Sequence, residues 1–379
     1  MSKRFDELFR DIVDILQRDY AGSVLTGPRI DPKYYNQAIG QAWHDRRLDD
    51  LQFFRFINQM LACTGDRHLR FTLRPGSSYT PYSPGFLTRR FGDSLYVTAV
   101  TEEDRLRPGD RILSVNGGSP ASQRAVIQKN FFFSLVPERE DWSGLLKMAD
   151  TIEVSRPTGA ESLRLRKFCP IRDLFRPSIT EHPDRLIIDL RNVSDLTDED
   201  ALTLLTRVCR KDTPLKELTD TELLVSYTRL NCLVKAESLR GVEGAESFIA
   251  ELEEKQGRGI LPEDIDDGTV VPGRWDRPVI VLTDTWTRDG AEAFSLAAKR
   301  AGAILLGRPT LGTIDLCGDV SLELDDRYTL TWPTALAQRA LDGNGVLDRG
   351  VTPDSIIPWT PEECLRDVLM EHAEEMTVN

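Results

Sequence analysis

One stretch, residues 277–316, constrains the fold of this chain more than any other. Five apolar residues at 278–282 form a run of strand length, and it ends in the turn-rich sequence TDTWTRDG. Good helix formers then occupy 291–301, and Gly302 stands where a C-cap glycine belongs. A second apolar run, 303–306, follows. The stretch therefore predicts a strand, a tight turn, a helix and a second strand.

The turn of this unit, residues 287–290, is the first place to look for function. Free N–H groups and the positive end of the helix dipole point toward such a turn, so ligands and reacting groups gather there. It contains Asp289 and Gly290. Asp289 and Glu292 also have capping-box spacing, which predicts Asp289 as the N-cap of the helix.

The composition limits the number of domains and the kinds of partner that this chain can have. The chain has 379 residues, 40% of them hydrophobic, enough for two or three domains with a sizeable core. A formal charge of −13 argues against nucleic acid or an anionic membrane as the main partner, since both favour basic patches. No run is long and apolar enough to span a bilayer, and the N-terminal sixteen residues are amphipathic, which predicts a cytoplasmic protein. The six scattered cysteines predict reduced thiols, with no metal site and no cofactor.

The N-terminal region is predicted to be helical. Apolar residues recur at helical spacing between Phe5 and Leu16, and further helical segments are expected at 34–43 and 48–62. A short turn at 65–71 then leads into an alternating strand and contains His68, one of four histidines. Taken alone, His68 is most simply a turn residue that is hydrogen-bonded to a backbone carbonyl.

The core stretch resembles the tail-specific (C-terminal-processing) serine peptidases, the group that includes the tricorn core. In that family an apolar strand enters a turn with the nucleophilic Ser, an acidic residue follows three positions later, and a Gly-x-x-Thr-x-Gly element comes after the next strand. This sequence has Glu292 and the element at 307–312. The resemblance places Asp289 at the nucleophile position and Thr313 where the Ser/Lys branch has its lysine.

Further residues are assigned by the same resemblance. An Asp-x-His segment of the family matches His68, which is the general base in the tricorn-like branch. The family's Ile-Ile-Asp-Leu-Arg-Asn pattern is present up to Asn192, but the glycines that follow it and help form the oxyanion hole are replaced by side-chain-bearing residues. Asp348 lies near the acidic residue that assists the base, although its register is off by about one position. Asn192 and Gly290 are candidate binding residues of this site.

Residues 82–170 resemble a PDZ-type module. Gly109-Asp110 predicts a turn, and Asn116-Gly117 tolerates positive φ at the end of a strand. Such modules add a peptide as an extra strand and often hold its terminal carboxylate in a backbone nest. The candidate nest consists of Gly85, Phe86 and Leu87.

The resemblance implies an α/β fold, with a crotonase/ClpP-like peptidase core, a PDZ-like β module and an N-terminal helical domain. The expected boundaries are 1–80 for the helical domain, 82–170 for the PDZ-like module and 178–379 for the core. An insertion at about 214–273 interrupts the core; its residues 257–268 are rich in Gly and Asp and predict a surface loop or lid. Within the core a hairpin is expected around residues 325–327, and a surface helix is expected at 360–375.

Acyl transfer needs a nucleophile that can lose a proton, a base, and donors for the oxyanion. Asp289, Thr313 and the glycine-free loop after Asn192 replace these parts, so the sequence predicts a pseudopeptidase that binds peptide or unfolded protein segments. Two alternatives remain. Asp289 attacks an activated carbon while His68 activates water, or a conventional peptidase survives through an unrecognised nucleophile.

Overall fold

A computed structural model of the chain describes residues 4–74, 82–124, 139–169, 176–194, 196–219, 222–264, 268–273 and 275–376. These residues form two compact units. Unit 1 contains residues 1–79, 220–268 and 313–348, and unit 2 contains 80–219, 269–312 and 349–379. The N-terminal helices therefore share a compact unit with most of the predicted insertion. The three-domain division expected from the sequence stays a prediction.

Helices are labelled in chain order. They are α1 (Phe5–Arg18), α2 (Ser23–Thr26), α3 (Pro32–His44), α4 (Asp50–Ala62), α5 (Ser143–Met148), α6 (Asp198–Val208), α7 (Leu215–Thr219), α8 (Arg229–Leu239), α9 (Glu246–Lys255), α10 (Asp289–Arg300), α11 (Gln338–Leu341) and α12 (Val368–Glu375). None of the helices in the described ranges is long and apolar enough to cross a membrane.

Strands are labelled in the same way. They are β1 (Arg70–Leu73), β2 (Phe86–Phe91), β3 (Ser94–Val100), β4 (Arg111–Val115), β5 (Thr151–Arg156), β6 (Gly159–Arg164), β7 (Ser178–Glu181), β8 (Leu186–Asp189), β9 (Thr213–Pro214), β10 (Glu222–Tyr227), β11 (Gly259–Asp264), β12 (Thr269–Val270), β13 (Val279–Thr283), β14 (Ile304–Gly307), β15 (Leu316–Leu324), β16 (Tyr328–Ala337) and β17 (Ser355–Ile356).

Unit 1 is built on an antiparallel sheet covered by the N-terminal helices. The long strand β16 pairs with β15, β1 and β10, and β10 pairs with β11. The amphipathic pattern of α1 puts Leu8 and Ile12 into a core with Phe53, Phe71 and Trp332, all fully or almost fully buried. The predicted hairpin around residues 325–327 is confirmed, with longer strands than expected.

Unit 2 contains the strand, turn, helix and strand predicted from the sequence. Strands β17, β14, β13 and β8 are parallel neighbours, and β7 adds an antiparallel edge. Every residue of β13 is buried, as expected for a central parallel strand. Helix α10 connects β13 to β14, so its N-terminus lies at the carboxyl end of β13, the usual position of a ligand site in such sheets.

A second sheet in unit 2 contains β2 to β6 in sequential antiparallel order, with β2 at one edge. Leu95, Val97, Ile112 and Val154 fill its core together with Trp142. The PDZ-like identity of the module at 82–170 stays a prediction.

Two local predictions are wrong. Residues 257–268 were expected to be a loop, yet β11 pairs with β10 in register from Gly259 to Asp264. The glycines at each end of this segment suggested a loop, but its apolar residues Ile260 and Leu261 allow strand pairing. The C-terminal segment was expected to be one helix, but a 3₁₀ turn at Pro361–Cys364 precedes a separate α12.

Candidate active site

A buried carboxylate organises the turn after β13. Asp284 accepts hydrogen bonds from the backbone N–H groups of Asn192 (2.9 Å), Trp286 (3.0 Å) and Thr287 (3.1 Å), and it forms an ion pair with Arg89. Burial alone raises the pKa of Asp284, but Arg89 and the backbone donors outweigh it and hold the pKa below its ordinary value. An ionised internal carboxylate therefore fixes this turn.

Asn192 lies at the end of the neighbouring strand and has a left-handed backbone, with φ of +60°. Its N–H is bonded to Asp284, and its side-chain oxygen accepts from the Arg89 guanidinium at 3.3 Å. The backbone donor of this predicted binding residue is thus engaged within the protein. In this conformation it is not available to stabilise a developing oxyanion.

Asp289 is the first residue of α10, with φ of +51° and a side chain 46% exposed. The N-cap is Arg288, which makes no side-chain capping bond, so the prediction that Asp289 caps the helix is wrong. Arg288 Nε lies 3.5 Å from Asp289 Oδ2. A non-glycine residue with this φ is strained, and such strain is commonly found at functional turns.

Glu292 does not complete a capping box, because its side chain turns into the protein. Its fully buried carboxylate accepts a hydrogen bond from the Thr310 hydroxyl and another from the Gly312 N–H at 2.7 Å. Thr310 Oγ1 in turn accepts from the Val351 N–H at 2.7 Å. Glu292 thus binds the Gly-x-x-Thr-x-Gly loop to α10, and Thr310 extends the connection to the C-terminal segment.

The glycines of this region are required by close backbone contacts. A Cβ on Gly307, whose φ is +128°, would collide with the carbonyl oxygen of Thr283. A Cβ on Gly290 would collide with the carbonyl oxygen of Leu196. The Arg288 N–H also donates to the Val193 carbonyl at 3.1 Å. The carbonyl groups of Val193 and Leu196 therefore lie directly against the start of α10, and Gly290 has a structural reason to be glycine.

His68 lies in unit 1, where both of its ring nitrogens face acceptors. Nδ1 is 3.0 Å from Asp319 Oδ1, and Nε2 is 3.1 Å from the backbone carbonyl oxygen of Thr313. Nδ1 can donate to Asp319 in one tautomer and Nε2 to the Thr313 carbonyl in the other. Simultaneous donation by both nitrogens requires a ring that is protonated on both.

A second carboxylate, that of Asp66, is hydrogen-bonded to the backbone of His68. The fully buried Asp66 accepts from the His68 backbone N–H at 2.8 Å. Burial is the largest influence and raises the pKa of Asp66, while the positive charge of His68 lowers it in part. The backbone of His68 is thus held by Asp66, while its ring contacts Asp319.

The remaining predicted residues of unit 1 are placed differently from the expectation. Asp348 bonds Arg29 at 2.7 Å, and Arg29 also donates to the Thr64 carbonyl at 2.8 Å. The ring of His68 contacts Asp319 and the main-chain carbonyl of Thr313, whereas the expectation concerned the side chain of Thr313. Sequence reasoning missed Asp319, because nothing local marks a partner 251 residues away.

The predicted carboxylate nest is only partly available. The Gly85 N–H donates to Ser83 Oγ at 3.0 Å, and its carbonyl accepts from three successive N–H groups at 101–103. Phe86 is buried and Leu87 is half-buried in β2. A terminal carboxylate would have to use donors other than the Gly85 N–H. Within the described ranges, no group of His, Cys, Asp and Glu side chains is arranged to hold a metal ion.

Comparisons with solved structures identify proteins with a similar architecture. A structure of mature CPAF complexed with lactacystin has 12% sequence identity and a TM-score of 0.67, covering 98% of this chain and 97% of that chain. A second structure of mature CPAF has 13% identity and a TM-score of 0.64, covering 98% and 95%. The photosystem II D1 C-terminal processing protease has 16% identity and a TM-score of 0.42, covering 95% and 94%. No protein-family model and no curated protein matches the sequence.

The chain shares the fold of mature CPAF. The expected fold class, a mixed α/β peptidase-like architecture, is confirmed. The roles assigned to individual residues and the loss of catalysis stay predictions.

Proposed function

We propose that this protein is a catalytically degenerate relative of the tail-specific peptidases that binds peptide or unfolded protein segments without cleaving them. Its protease-like fold is the premise. The proposal concerns the chemistry of the site and its ligand class.

The hydrogen bonding of His68 carries the proposal. A general base must offer a lone pair to the proton that it abstracts. Because Nδ1 faces Asp319 and Nε2 faces the Thr313 carbonyl, we infer that both ring nitrogens are protonated and that neither has a lone pair to offer. In this proposed state His68 joins the chain before β1 to the chain before β15.

The turn in unit 2 supports the same conclusion. At the nucleophile position Asp289 has no proton to give up when ionised, and its charge would oppose negative charge on an attacked carbonyl. The Asn192 N–H is bonded to Asp284. The residue at the nucleophile position is therefore unsuited to acyl transfer, and the N–H of the candidate binding residue Asn192 is already engaged.

Peptide binding is supported by the sheet of β2 to β6. In the described part of the chain β2 has one strand partner, β3, so its other edge is a template for strand addition. Main-chain hydrogen bonding of this kind is tolerant of ligand sequence, which suits unfolded segments. A cytoplasmic location and the absence of nucleic acid, membrane, metal and cofactor from its function stay predictions.

One observation favours the rival hydrolase. Asp289 is exposed and strained at the start of a helix, as reactive side chains often are. In that mechanism the Asp289 carboxylate would form an ester by displacing a leaving group from an activated carbon, and water would then hydrolyse the ester.

A peptide-library cleavage assay read by mass spectrometry tests whether peptidase activity is lost. We expect the wild type, His68→Ala, Asp289→Ala and Asp289→Ser all to leave the library intact, because restoring a serine does not give His68 a lone pair. Cleavage by the wild type that either alanine variant abolishes would establish a peptidase that uses these residues and would refute the proposal.

Two further measurements test the binding part and the protonation state. Peptides from the same library retained by the wild type, and lost when a proline replaces Thr88 in β2, would support strand addition; equal retention would contradict it. Nitrogen-15 NMR of the His68 ring should show two protonated nitrogens at neutral pH, and one protonated nitrogen would remove the main support for the pseudopeptidase.

A further inference from the structure

Unit 1 contains a groove that the proposed function does not use. It lies between α8, the end of α9 and β15, and its volume is about 590 Å³. We call it the α8 groove. That volume is within the range of sites that hold several side chains of a ligand.

The floor and one wall of the α8 groove are apolar. Leu230, Leu233 and Val234 follow one another at the i, i+3 and i+4 positions of α8 and therefore share a face. Leu322 lines the groove from β15. Leu233 remains 52% exposed, which is unfavourable for a large apolar side chain that meets only water.

The rim of the groove is acidic. Glu237, Glu253 and Glu323 line it, against one basic lining residue, Arg240. Glu237 pairs with Arg240 at 2.8 Å and Glu323 with Arg74 at 2.9 Å, through carboxylates that are well exposed. Exposed pairs contribute little and exchange readily with a new partner. Among the described residues, Glu253 has no ion pair.

We propose that the α8 groove binds a basic amphipathic segment of a partner protein. Its apolar side chains would fill the space beside Leu233 and Leu322, and its lysines or arginines would meet Glu253 and the neighbouring carboxylates. Charge complementarity selects this occupant, since an acidic segment would add like charges at the rim. The groove includes none of the residues of the candidate active site, so this inference is independent of the proposed function.

The test measures binding of labelled peptides to the full-length protein by fluorescence anisotropy. The probes are a fifteen-residue helical peptide of leucine and lysine and a counterpart in which every lysine is glutamate. We expect the basic probe to bind at least about tenfold more tightly, a difference that corresponds to roughly 1.4 kcal/mol. Leu233→Ser, at an exposed position, should weaken its binding by about tenfold.

A matched pair of variants separates the effect of the rim carboxylates on binding from the effect of the overall negative charge. Glu253→Lys and Glu254→Lys change the net charge equally at adjacent positions of α9, but only Glu253 lines the groove, and Glu254 pairs with Arg258. We expect Glu253→Lys to weaken the basic probe by about tenfold and Glu254→Lys by about twofold or less.

Two results would overturn the proposal. Equal effects of the two substitutions would mean that the probe responds to net charge and not to the groove. Sedimentation velocity that shows a dimer for the wild type and a monomer for Leu233→Ser would mean that a second copy of the chain occupies the groove.

Discussion

Two groups of residues near the N-terminus of α10 differ in how far they match the peptidase pattern. We call the buried group, Glu292, Thr310 and Gly312, the inner side, and the exposed residue Asp289 the outer side. On the inner side Glu292, Thr310 and Gly312 are joined by buried hydrogen bonds and match the peptidase pattern. On the outer side Asp289 is exposed and stands where the pattern has a serine. The inner residues hold α10 to the following loop by buried hydrogen bonds, whereas the outer residue is exposed to solvent. The inner residues are therefore expected to matter much more for stability than the outer one.

The largest expected effect lies on the inner side. Glu292→Ala removes the acceptor of the Thr310 hydroxyl and the Gly312 N–H, and each buried donor left unpaired costs about 1–3 kcal/mol. We expect a loss of about 4 kcal/mol in the free energy of unfolding, measured with urea. Glu292→Gln keeps a side-chain acceptor and should cost far less. Equal losses would mean that the charge, and not these hydrogen bonds, matters.

The next largest effect on stability is expected at the internal carboxylate Asp284. Asp284→Asn leaves the buried Arg89 guanidinium without its ionised partner, and breaking a buried pair in this way costs about 3 kcal/mol. The pH dependence has a definite sign. Because the folded pKa lies below the unfolded value of 3.8, the contribution of Asp284 is complete above that pH and is lost as pH falls through the folded pKa.

Urea unfolding of the wild type and Asp284→Asn across the acid range checks both statements. The difference between the two proteins should be constant near neutral pH and shrink below the unfolded pKa. A difference that grows on acidification would mean that the pKa of Asp284 is raised in the folded protein.

The smallest expected effect lies on the outer side and has the opposite direction. Asp289→Gly relieves a left-handed backbone at the cost of a more flexible unfolded chain, for a net gain of about 1 kcal/mol or less. Asp289→Ala keeps a Cβ and should bring no such gain. If Asp289→Gly destabilises unit 2 as strongly as Glu292→Ala, the outer side is also part of the structural frame.

Much of the fold could be predicted from the sequence because its signals are local. The apolar run of β13, the amphipathic pattern of α1 and Gly302 after α10 each act within a few residues. The hairpin of β15 and β16 was recognisable from its turn for the same reason. Strand β11 was not, since its pairing with β10 spans two helices and its composition resembles a loop.

The candidate site was less predictable because its contacts are long-range. Glu292 has an ideal capping position, and only the arrival of Thr310 from another strand connection explains why it turns inward. Asp319 meets His68 through the packing of β15 near the turn before β1, with no shared motif. Asp284 reads as a turn residue in the sequence, although its partners come from β2 and from the end of β8.

Asp284 also bears on how this protein should be screened. Its carboxylate is an internal anion that accepts from three backbone N–H groups and is compensated by Arg89. A reagent that mimics a negatively charged intermediate would find these N–H groups, at Asn192, Trp286 and Thr287, already occupied. We therefore expect activity-directed probes to leave the protein unlabelled, and neutral or basic peptides to be the more informative starting point for ligand discovery.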